Sequence, residues 1–271
     1  MSGQGSGPET AHRVAVVTGA TSGIGRAMAV EFAWRGYCVL GIGRAPEKLK
    51  SLGQDLTEAG QAAGYDLPHE TLGLDVADAA AMAKLGAHLH AIGRVDVLVA
   101  SAVLGREGQG GLPPRTRDLT LSDWQRAIDV NLHGVFLATQ AVLPLMRAAE
   151  NGDIIHMASS TTPHGLRGTP LAPAYCATKF ALAALGRDLN RELGDDGIRV
   201  RTVYPGSIDT PLIADTLLDG PFGGTMSPES FATALIGLTE LCQNMDVTDP
   251  HLLPMPTRRQ ASHPEAPETG A

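Results

Sequence analysis

From Arg13 onward, short uninterrupted apolar runs alternate with longer amphipathic stretches. The runs at 14–18, 37–43, 70–75, 95–100, 153–158 and 198–204 do not alternate strictly with polar residues. Continuous apolar runs are what strands buried on both faces of a parallel sheet require. Between them, 23–34, 46–63, 78–92, 122–149 and 174–193 read as helices. Pro46 suits a first helical turn, and Ser122-Asp123-Trp124-Gln125 reads as a capping box. A seventh strand is expected near 249–255. Repeated strand–helix units predict an α/β fold, a single doubly wound domain over 12–260. Its sheet should have seven parallel strands with helices on both faces.

Two stretches break the rhythm. Residues 105–114 (GREGQGGLPP) follow the fourth strand, and 205–228 follow the sixth. Ligands bind at the carboxyl ends of parallel strands, so both are candidate site loops, with 207–228 as the substrate loop. Residues 1–11 are Gly/Ser-rich and 261–271 rich in Pro, Glu, Thr and Gly; both read as disordered ends.

The chain has 271 residues, 43% apolar and 18% charged, which suits a soluble globule with a large core. No apolar stretch reaches the roughly 18 residues that span a bilayer, and the N-terminus lacks the marks of a signal peptide. No membrane association is expected. Cys38, Cys176 and Cys242 form no CxxC pair, so neither a disulfide framework nor a zinc site is expected, and a cytoplasmic location is. Net charge is −8 with no basic block beyond Arg258-Arg259, which argues against a nucleic-acid partner. Arg199 and Arg201 read as the solvated face of the sixth strand.

Two segments carry the chemistry. The first is Thr18-Gly19-Ala20-Thr21-Ser22-Gly23-Ile24-Gly25, a glycine turn between the first strand and the first helix. Such a turn lets the backbone approach a pyrophosphate and offers it a helix N-terminus. It is not a phosphate-binding P-loop, because Ile24-Gly25-Arg26 stands where Gly-Lys-Ser/Thr would be needed. At the end of the second strand, Gly43-Arg44 replaces the acidic residue that would accept from the ribose of NAD. NADP(H) is therefore favoured over NAD(H), although Arg44 could simply cap the turn. Asp75-Val76 can meet an adenine edge or serve as an ordinary helix-start acid.

The second segment is Tyr175-Cys176-Ala177-Thr178-Lys179, with Tyr175 and Lys179 on one helix face. A nearby ammonium and an oxidised nicotinamide ring would favour the tyrosinate and lower its pKa. Ser159, sixteen residues earlier, can hold a substrate oxygen. His133, His156 and His164 lie near these residues in sequence but form no metal-ligating cluster.

Together these motifs make the chain resemble the short-chain dehydrogenase/reductase family over residues 12–257. TGxxxGIG matches in full, and Asp75-Val76 matches the adenine-side aspartate. Asn131, Ser159, Tyr175 and Lys179 fall on the family's catalytic set, Asn131 as the anchor of a relay water. Pro205, Gly206, Ile208 and Thr210 fall on PGxxxT, whose threonine contacts the nicotinamide carboxamide. Ala102 falls on the adenosine side. The resemblance implies a Rossmann domain, a homo-oligomer (dimer or tetramer), and an NADP(H)-dependent ketoreductase or alcohol dehydrogenase. The site loops, with Leu112, Leu166 and Phe222, imply a small, fairly apolar carbonyl or alcohol substrate. Alternatives are a catalytically silent NADP-binding regulator, or an imine or enone reductase on the same fold. The chain departs from the family at Ala100-Ser101-Ala102-Val103, where Asn-Asn-Ala-Gly is usual, and at 248–258 (TDPHLLPMPTR), which replaces the usual Val-Asp-Gly-Gly ending.

Overall fold

In the computed structural model, residues 12–104, 115–160, 172–213, 225–242, 245, 247 and 249–254 are described. The apolar runs become β1 (Val14–Thr18), β2 (Cys38–Gly43), β3 (Glu70–Gly73), β4 (Val97–Ala100), β5 (Gly152–Met157), β6 (Ile198–Pro205) and β7 (His251–Leu252). They form one seven-stranded sheet in the order β3-β2-β1-β4-β5-β6-β7, each neighbouring pair parallel. The chain moves outward from β1 to β3 and then returns to place β4 on the other side of β1. That reversal leaves a crevice at the carboxyl ends of β1 and β4, which is where ligands of doubly wound sheets sit.

The helices are α1 (Gly23–Trp34), α2 (Pro46–Ala62), α3 (Ala79–Ile92), α4 (Leu121–Ile128), α5 (Gly134–Ala148), α6 (Pro173–Leu193) and α7 (Pro228–Leu241). Alternate β1 residues point to opposite faces. Ala15 and Val17 pack with Met28 and Phe32 of α1 and Phe231 and Leu235 of α7. Val16 packs on the other face with Leu85 and Leu89 of α3 and Val142 and Met146 of α5. Both faces are thus covered, as continuous apolar strands require.

Several local expectations are corrected. The capping box sits two residues earlier, with Thr120 as N-cap and Asp123 returning the bond. A π-helical turn, Asp129–His133, joins α4 to α5. α7 occupies a stretch for which no element was expected; Ser227 caps it and Pro228 opens it. The continuous helix Leu121–Ala148 is long and apolar enough to cross a membrane by length and composition, where no such stretch was expected. Here Val135, Ala138, Val142 and Met146 are buried in the core of the sheet's face.

Arg201 is not on a solvated face. It is 1% exposed and pairs with the buried carboxylate of Asp153 on β5. Arg199 grips the same carboxylate at 2.7 and 2.9 Å, and Arg201 also donates to the Cys242 carbonyl at the end of α7 at 3.1 Å. A buried arginine persists only with such partners.

Candidate active site

The carboxyl ends of the strands open into a cleft of about 390 Å³, a size typical of small-molecule sites. It gathers Gly19, Thr21, Ser22, Gly23, Ile24 and Gly25 with Arg44, Asp75, Val76 and Ala102. Ser159, Tyr175, Lys179, Pro205, Gly206, Ile208 and Thr210 complete the wall. Asn131 does not line it, whereas Lys48, Met157 and Ser160, which the sequence reading did not single out, do. Residues 105–114, 161–171 with His164, and half of the 207–228 loop (214–224) lie outside the described residues, as do the ends at 1–11 and 261–271.

Gly19 adopts φ +69°, and a Cβ there would stand 2.7 Å from the Ala102 Cα. A Cβ on Gly25 would run into the Gly19 carbonyl oxygen. Only glycine allows this turn to press against the backbone after β4. The Thr18 hydroxyl accepts from the Ala102 N–H at 3.2 Å, fixing the same contact. The altered segment at 100–103 is therefore held through its backbone. Ser22, the N-cap of α1, makes no side-chain cap bond, and the first turn of α1 carries no acidic residue. Its N–H groups and the helix dipole suit an anion, so the cradle fits a dinucleotide pyrophosphate.

At the other end of the cleft, Asp75 sits in the turn after β3. Its Oδ1 accepts from the Ala77 N–H at 3.0 Å and its Oδ2 from Arg126 at 2.8 Å. Arg44 approaches the same Oδ2 at 3.8 Å. Burial pushes the Asp75 pKa up. The Ala77 N–H and the two guanidiniums outweigh that and hold it below the usual value.

Ser159 follows the end of β5, and Tyr175 and Lys179 project from α6 across it. The Tyr175 hydroxyl is hydrogen-bonded to Ser159. Lys179 Nζ donates to the Met157 carbonyl at 2.5 Å and lies 5.4 Å from the Tyr175 ring centroid. Asn131, fully buried in the π turn, accepts from the Leu104 N–H at 2.6 Å and donates to the Thr178 hydroxyl at 3.4 Å. Its side chain ties the segment after β4 to α6, and π turns of this kind recur at functional sites. His133 pairs with Asp129 on the surface, and His156 is buried against Thr139.

Residues 13–219 match the family model for short chain dehydrogenase. The chain belongs to the short-chain dehydrogenase/reductase family. The chain is 36% identical over 215 residues to D-threitol dehydrogenase of Mycolicibacterium smegmatis, covering 79% of this chain and 76% of that one. It is similar in structure to an alcohol dehydrogenase from Thermococcus sibiricus complexed with 5-hydroxy-NADP (TM-score 0.74, 28% identity, 94% of this chain and 100% of that one). A further similar structure is the 3-ketoacyl-(acyl-carrier-protein) reductase of Brucella melitensis complexed with NADH (TM-score 0.76, 25% identity, 89% and 96% covered).

Burial governs the ionisation of Tyr175 and Lys179. It pushes Tyr175 up to about 12, against the opposing bond from Ser159, and Lys179 down to about 7. Desolvation is the largest cause for both, so without a nicotinamide ring beside them each group leans toward its neutral form. His156 is held down at about 4 by burial and by Lys179.

Folded Lys179 binds fewer protons than unfolded lysine between about 7 and its ordinary 10.5. Stability therefore rises with pH across that window on its account. Tyr175, shifted upward from 10.0, opposes this only above its ordinary pKa. In thermal melts, the wild-type chain should gain on a Lys179→Met variant between pH 7 and pH 9. A Tm difference that stays constant with pH would contradict the assignment.

Proposed function

We propose that this chain is an NADP(H)-dependent ketoreductase or alcohol dehydrogenase acting on a small, fairly apolar carbonyl or secondary alcohol. The observation that carries the reading is the Tyr175–Ser159 hydrogen bond, set in the same cleft as the glycine turn, with Lys179 buried behind it. The α1 N-terminus and the Gly19–Gly25 turn would hold the pyrophosphate, Asp75, Val76 and Ala102 the adenosine, and Pro205, Gly206, Ile208 and Thr210 the nicotinamide end. Arg44, with Lys48 beside it on the cleft wall, favours a 2′-phosphate over a bare ribose. The bound cofactor supplies or accepts the hydride.

The chain's own residues handle the oxygen and the proton. Ser159 orients the carbonyl oxygen. Tyr175, held protonated by its burial, donates its O–H proton to that oxygen as the carbon becomes sp³ and the alcohol forms. The tyrosinate left behind is stabilised by Lys179, whose amine takes up one proton from solvent as the negative charge develops beside it. Asn131 positions α6 through Thr178 and thereby aims Tyr175. Alcohol oxidation runs the same steps in reverse.

The three cysteines, all free among the described residues, support a cytoplasmic location. Exposed Trp124, Phe136 and Phe180 on α4, α5 and α6 support a homo-oligomer, dimer or tetramer. A monomer mass by light scattering would overturn that assembly. Tyr175→Phe removes the proton but keeps the ring's packing. Turnover should fall by about 10²–10⁴-fold with NADPH affinity, read by fluorescence titration, within about twofold. Substantial residual turnover would overturn the mechanism.

A further inference from the structure

Arg126 does not line the cleft, yet it is the nearest partner of a carboxylate that does. Asp75 Oδ2 stands between two guanidiniums, Arg126 at 2.8 Å from α4 and Arg44 at 3.8 Å on the cleft wall. Asp75 Oδ1 is spent on the Ala77 N–H. With three charges in one cluster, Arg126 balances Asp75 and leaves the charge of Arg44 uncompensated. Lys48 adds a second cation to that wall. Without Arg126, Asp75 and Arg44 become a one-to-one ion pair, and Asp75 pulls Arg44 toward itself and away from any incoming anion. Arg126 and Asp75 are both only partly exposed, with side-chain accessibilities of 34% and 30%. Their interaction is therefore screened less than that of a pair in open water.

We infer that Arg126 is a positioning residue for cofactor selectivity: by neutralising Asp75 from behind, it frees Arg44 to bind the 2′-phosphate that distinguishes NADP(H) from NAD(H). The inference rests on the NADP(H) reading proposed above. It assigns a selectivity role to a residue of α4, outside the β2–α2 turn that carries Arg44. The chemistry at stake is a phosphate monoester dianion on the adenosine ribose, which gains more from a net positive wall than an uncharged hydroxyl does.

The test uses the full chain and two cofactor fragments, 2′,5′-ADP and 5′-AMP, titrated by calorimetry. Wild type should bind 2′,5′-ADP more tightly than 5′-AMP. Arg126→Met should weaken 2′,5′-ADP binding by roughly five- to tenfold and change 5′-AMP binding by less than about twofold. Arg126→Lys, which keeps the charge, should restore most of the preference. A change that merely loosened the fold would weaken both fragments alike, and that outcome would overturn the inference. Arg126→Met that keeps the wild-type preference would overturn it as well, while leaving the NADP(H) reading intact. A wild-type chain that binds both fragments equally would overturn the NADP(H) reading itself, and this inference with it.

Discussion

The bond from Lys179 to the Met157 carbonyl is the constraint on which the site depends. A lysine only 4% exposed must find an acceptor or leave its amine desolvated without return. The acceptor it finds is the last residue of β5. That bond sets α6 across the carboxyl edge of the sheet, and one helical turn earlier Tyr175 then meets Ser159. Thr178, between them, receives the Asn131 amide and returns its own hydroxyl to the Tyr175 carbonyl at 2.8 Å. The segment after β4, the π turn and α6 are thereby held in one register.

The same burial sets the chemistry. Removing Tyr175 and Lys179 from water penalises their charged forms, so the folded site favours a protonated tyrosine and an uncharged amine. A site of this kind suits proton donation, because charge appears only as the substrate oxygen develops its own. The acidic edge of the cleft follows a different rule. Asp75 stays ionised because a backbone N–H and two guanidiniums outweigh its burial.

Much of this was legible in the chain. The strands were readable because a parallel sheet covered on both faces needs continuous Val/Ile/Leu runs, and all seven lie within a few residues of their expected positions. The glycine turn and the Tyr175/Lys179 pair were readable because their spacing carries the geometry. What the sequence concealed depends on distant partners. Arg201 looked solvent-facing because its anion, Asp153, lies 48 residues away. The π turn has no local signal; it accompanies Asn131 bonds to Leu104 and Thr178. The partnership of Arg126 with Asp75 spans 51 residues. The depth at which Tyr175 and Lys179 are buried is equally hidden, since a lysine at i+4 is visible in sequence and its desolvation is not. α7 was concealed differently. Its Ser227-Pro228 start is a local cue that also reads as the end of a loop.

The Ala100–Val103 segment shows how a fold tolerates a changed motif. Its contacts with Gly19 and Thr18 run through the backbone of Ser101 and Ala102, so the cradle keeps its shape although the side chains differ from the family's usual ones. The most direct test of the account is a panel of ketones, aldehydes and alcohols assayed with NADPH and NADH in parallel, following the absorbance of the reduced cofactor. The account predicts turnover of at least one apolar carbonyl, faster with NADPH than with NADH. Tight NADPH binding with no turnover across the panel would contradict it.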